Sequence, residues 1–68
     1  MYTITVNTFN GLEKQFSMID KEYALYHFNQ FMQAIDCKSI VMTDGLTGEL
    51  FYEWTAKDGF TFIEGIPV

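Results

Sequence analysis

The chain contains no arginine, and its only cations are four lysines, Lys14, Lys21, Lys38 and Lys57. Nucleic-acid binders neutralise phosphates with clustered Lys and Arg and read guanine mainly with Arg. Nine acidic residues leave a net charge of −5, so direct binding to nucleic acid or to an anionic membrane is disfavoured. The acids are spread along the chain and form no block, and ordinary solubility explains most of that charge. Cysteine is equally scarce. A single Cys37 rules out an internal disulfide, and without a cluster of His and Cys no metal or cofactor is expected. A lone thiol fits a reducing interior. The first residues alternate like a strand, without the basic and apolar segments of a secretory signal. No run approaches the roughly 18 apolar residues of a membrane span. The expected location is cytoplasmic, with no membrane partner.

Charge is also missing locally. Residues 23–35 pass thirteen positions without an acid or a base. At about 25% charged residues, such a run arises by chance roughly 2–3 times in a hundred. The segment reads as the only helix, so its outer side should meet water, yet it carries Tyr23, Tyr26, Gln30 and Gln33. That surface is expected to be covered by something.

What the chain has in abundance is aromatic side chains: seven Phe, four Tyr and one Trp in a 49% hydrophobic composition. Sixty-eight residues make one domain, residues 1–68, with marginal stability for its size. Dense packing, or self-association, must supply what disulfides and metals do not.

Residues 2–9 alternate, with Tyr2, Ile4 and Val6 on one side and Thr3, Thr5 and Asn7 on the other, which is a half-buried strand. Asn10-Gly11 then signals a hairpin. A two-residue turn would set Val6 against Gln15 and Thr5 against Phe16, apolar against polar on both faces. An odd-length loop centred on Gly11 sets Val6 against Phe16 and Ile4 against Met18. A one-residue slip turns every side chain over, so a three-residue loop or a bulge is predicted. Asp20 suits an N-cap and Glu22 the first turn of a helix. Ala24, Leu25, Phe28, Phe31, Met32 and Ile35 recur at helical steps. That helix should end near Asp36 and Cys37, with Lys38 just beyond.

Residues 39–43 and 49–56 read as paired strands across a turn at 44–48. Thr43 is expected opposite Glu49, Met42 opposite Leu50 and Ile40 opposite Tyr52, with Trp54 on the same core face. Asp58-Gly59 makes another turn, residues 60–64 a last strand, and residues 65–68 a tail in which Pro67 cannot continue a ladder. The order is ββαβββ. The fold class is α+β, a single two-layer domain with one helix packed on one face of an antiparallel sheet. Strand order is not readable from the sequence.

The residues offer little chemistry. His27, the single histidine, sits on the helix flank near Tyr23 and Ala34 and has no evident nucleophile or base partner, so a structural or surface role is expected. Cys37, at a helix C-terminus beside Asp36, is placed where a thiolate is disfavoured. Glu49 and Glu53 would lie about 13 Å apart on one strand, too far for paired glycosidase carboxylates. Residues 44–49 lack the ligands of a calcium loop and the Gly-Lys-Ser/Thr ending of a phosphate loop. Sheet aromatics stack nucleobases only alongside a basic groove, so here they are expected in the core. No catalytic residue is assigned, and an enzyme is not expected.

Two surfaces stand out as depleted in charge: the helix back, with Tyr23, Tyr26, Gln30 and Gln33, and an outer sheet patch in which Val41 faces Phe51. Interfaces are enriched in Tyr and Phe and poor in Lys and Glu. The expected function is a small acidic non-enzymatic protein that binds another protein or a second copy of itself through the helix back. One alternative is an inhibitor of a host nucleic-acid enzyme, since the chain is similar in size, acidity and Lys-only cations to accessory proteins of phages and mobile elements. The other is a small-ligand-binding domain with an aromatic pocket between helix and sheet, lined by Phe28, Phe31, Tyr52 and Trp54.

Overall fold

The structure, a computed structural model, describes residues 1–67; Val68, the last residue of the expected tail, lies outside them. Alternation in β1 (Tyr2–Thr8) turns Ile4, Val6 and Thr8 inward. β2 (Glu13–Met18), α1 (Lys21–Met32), β3 (Cys37–Asp44), β4 (Leu50–Thr55), β5 (Gly59–Ile63) and a two-residue β6 (Ile66–Pro67) follow. The sheet order is β2-β1-β3-β4-β5-β6, with every neighbouring pair antiparallel. The α+β class and the ββαβββ order hold. The addition is β6, which pairs Ile66 with Ile63 and Pro67 with Phe62 at the sheet's edge, where proline is tolerated.

β2 and β3 flank β1, and both run antiparallel to it. They are therefore parallel to each other and need a crossover, which α1 supplies across one face. Asp20 caps the helix, its carboxylate accepting from the Glu22 N–H at 3.0 Å. Ala24 and Phe28 meet Ile4, Val6, Cys37, Ile40 and Met42 to form the buried core, with Leu25, Phe31 and Met32 packed around it. Ile4, Ile40 and Met42 are fully buried, each contributing about 1.5–3 kcal/mol over an exposed position.

The first hairpin has the predicted three-residue loop but a different centre. Thr8 and Leu12 close it: the Thr8 N–H donates to the Leu12 carbonyl at 2.9 Å and the Gly11 N–H to the Thr8 carbonyl at 3.1 Å. Gly11 stands at φ +89°, completing a turn-plus-bulge loop. Ile4 consequently faces Phe16 and Tyr2 faces Met18, two residues from the expected pairs but on the expected faces. The loop is centred on Asn10 because buried Thr8 ties it down, its hydroxyl bonding both the Leu12 main chain and the Asn10 side chain.

The helix ends a turn early. Gln33 is its C-cap, and the Gln33 and Ala34 N–H groups bond three residues back, to the carbonyls of Gln30 and Phe31. The tightened chain lets Cys37 enter β3 opposite Thr8, and the Phe9 N–H takes the Asp36 carbonyl at 3.0 Å. Ile35, expected in the core stripe, is 99% exposed. Lys38 belongs to β3 and not to a helix end.

The β3–β4 register also differs. Ile40 faces Trp54 and Met42 faces Tyr52, while Val41 faces Glu53. A bulge at Met42/Thr43 takes up the slip. It leaves Phe51 out of the ladder and turns it onto the helix side, packed on the core with its ring 5.6 Å from Tyr2.

Candidate interaction surface

The helix back lies where the sequence places it. Tyr23 and Tyr26 are 56% and 58% exposed, Gln30 is exposed, and Gln33 caps the same surface. On a helical wheel the outward side grades through His27 toward Phe31 and the sheet edge. His27 holds both tyrosines edge-on, at 4.4 Å to Tyr23 and 5.4 Å to Tyr26. It leans on Phe31 at 6.1 Å, and Phe31 stacks on Phe16 of β2 at 5.0 Å. The result is a ribbon of four aromatic side chains and one imidazole, running from the top of α1 down to the edge strand. Sequence reasoning misses Phe16, because its place at an edge depends on a strand order that the sequence does not reveal.

The outer sheet patch does not form as expected. Val41 is on the uncovered face between Thr5 and Glu53, whereas Phe51 is on the opposite side of the sheet. Lys21, in the first turn of α1, sits over Phe51 with Nζ 5.7 Å from the ring centre and pairs with Glu64 at 3.0 Å. The predicted outer partner of Val41 is thus part of the junction between the helix start and the turn before β6.

A cleft of about 510 Å³ opens on the uncovered face, between Phe9 and the β4–β5 turn, with Ser39, Glu53 and Thr55 along it and Lys38 and Lys57 at the rim. Between helix and sheet, Phe28 lies 6.0 Å from Tyr52 and stacks on Phe60 at 6.2 Å.

Cys37 is buried, its thiol directed to the Ser39 carbonyl at 3.7 Å. Burial pushes its pKa up, and the Asp36 carboxylate adds to the shift, which is unsuited to a nucleophile. Residues 44–49 are a turn in which the Asp44 carboxylate accepts the Leu46 and Thr47 N–H groups at 2.7 and 3.2 Å. Among the described residues there is no group of three His, Cys, Asp or Glu side chains that could hold a metal, and no helix is long and apolar enough to cross a membrane.

Fold and surface together define a one-helix α+β domain with an aromatic, uncharged flank. No protein-family model matches the chain, and no curated protein or solved structure matches it.

Proposed function

We propose that this chain is a non-enzymatic binding protein whose helix back docks on another protein. The observation that carries this reading is the ring-to-ring run from Tyr26 and Tyr23 through His27 to Phe31 and Phe16. A helix facing water normally sets Lys and Glu there, and two tyrosines more than half exposed are the residue type that anchors interfaces. Tyr26 is the expected anchor. Tyr26→Glu should weaken association by about 2 kcal/mol, roughly 30-fold, and leave the melting temperature within a few degrees. The check is titration of the partner protein. Unchanged association would remove the helix back from the interface.

A second reading, small-ligand binding, draws on the outer cleft. Its volume of about 510 Å³ lies within the usual range for ligand sites, and Ser39, Thr55, Lys38 and Lys57 offer polar groups around exposed Phe9. Shifts of the Phe9 ring resonances on addition of a metabolite would favour it.

A further inference from the structure

The two edges of the sheet differ. At one, β6 is two residues long and ends in Pro67, which has no N–H to offer. At the other, β2 runs six residues in unbroken register with β1, free of proline and bulges, and exposed up to Met18. Sheets blunt an edge with shortness, proline, bulges or charged side chains. β6 is blunted by the first two, whereas the main chain of β2 is open and its charges, Glu13 and Lys14, sit at one end.

The loop fixes which main-chain groups β2 presents. Thr8 and Leu12 are a hydrogen-bonded pair, and such pairs alternate along an antiparallel ladder. Lys14, Phe16 and Met18 therefore turn their N–H and C=O toward β1, opposite Val6, Ile4 and Tyr2. Glu13, Gln15 and Ser17 turn theirs outward, where, among the described residues, no strand lies beside them.

We infer that a second copy of this chain adds its β2 to this edge, antiparallel, about a twofold axis at Phe16. The inference rests on the lower end of the aromatic ribbon, Phe31 and Phe16, being a binding face and names what occupies that end. A twofold axis normal to the sheet keeps both helices on one side and matches residues that share a face. Centred on Phe16, it sets that ring against the same ring of the second copy. It pairs Gln15 with Ser17 twice, through about four main-chain hydrogen bonds. Lys14 then meets Met18 and Glu13 meets Ile19, so no like charges are opposed. A register centred on Gln15 would set Phe16 against Lys14 and lose the ring pair.

The strand suits its own copy. Glu13 and Lys14 leave β2 without net charge in a chain of −5, so like-charge repulsion between copies is low along this edge. The Phe16–Phe31 stack becomes a four-ring cluster across the axis. Ile19, 85% exposed, continues the strand at the end of the seam.

Sedimentation equilibrium and amide exchange on the full chain test this. Ser17→Pro deletes an outward N–H and spares the β1 ladder, while Ser17→Ala keeps it. The wild type and Ser17→Ala should reach twice the 7.9 kDa chain mass as concentration rises, with Gln15 and Ser17 amides protected only in the dimer. Ser17→Pro should dimerise at least about 30-fold more weakly with its circular dichroism unchanged. If that variant fails to fold, the wild-type exchange pattern decides alone. A wild type monomeric up to about 1 mM, a Ser17→Pro dimer as tight as wild type, or unprotected Gln15 and Ser17 in a dimer would overturn the proposal. Tyr26 lies on the helix back, away from the seam. A monomeric wild type whose complex with a different protein is still weakened by Tyr26→Glu would remove the second copy and leave the helix-back reading intact.

Discussion

Asp44 shows how one exposed carboxylate organises a turn. Its oxygen accepts two main-chain N–H groups, from Leu46 and Thr47, and these donors hold its pKa below the ordinary 3.8. A carboxyl whose folded pKa is depressed adds stability above the unfolded value. That contribution is lost as pH falls through the folded one. The urea midpoint of the wild type should therefore decline as pH falls below about 4. Asp44→Asn, which has nothing to titrate there, should show a shallower decline, and the two curves should converge in acid. Parallel curves would mean that the two hydrogen bonds do not distinguish the charged from the neutral side chain.

At the scale of elements, the loop joining β1 to β2 sets which residues meet. Gly11 adopts φ +89°, and a Cβ added there would have no heavy atom within 4 Å, so a side chain meets backbone strain and no clash. Gly11→Ala should cost about 1 kcal/mol, read as a lower melting temperature with an unchanged cross-strand pattern. Much of this level was legible beforehand. Parity of apolar residues put Ile4 and Phe16 on one face, and steps of three and four put Ala24 and Phe28 inward. The individual pairings were not, because a slip of two residues preserves every face, and at Phe51 the bulge changes the face as well. Only Thr8, bonding back onto its loop, and the bulge beside Thr43 distinguish the alternatives. The helix end is hard to place for a related reason. Ala34 and Ile35 fit a helix locally, and the pairing of Cys37 with Thr8 overrides them. Of the candidate surface, the helix back was readable from missing charge. Phe16 and the open strand were not, since they acquire their meaning from strand order.

At the scale of the whole molecule, β1 lies between the hairpin partner that follows it directly and a strand that follows the helix. The β1–β2 ladder and the run from β3 to β6 join near neighbours in sequence. The β1–β3 ladder joins Thr8 to Cys37 and Tyr2 to Asp44. Closing that distance carries the main loop-closure entropy of the fold. Ile40→Val, at the buried seam of this ladder, should therefore slow folding, with a φ-value of about 0.5–0.8. Phe60→Ala, on β5, should mainly speed unfolding, with a φ-value of about 0–0.3. Stopped-flow chevrons would measure both, and the reverse order would place the nucleus in the β3–β5 meander. The central position of β1 has a consequence for synthesis as well. This early strand gains one neighbour soon after it leaves the ribosome and waits for its second until the helix and β3 have followed. Until β3 has emerged, a nascent chain therefore holds a strand of its core half-paired.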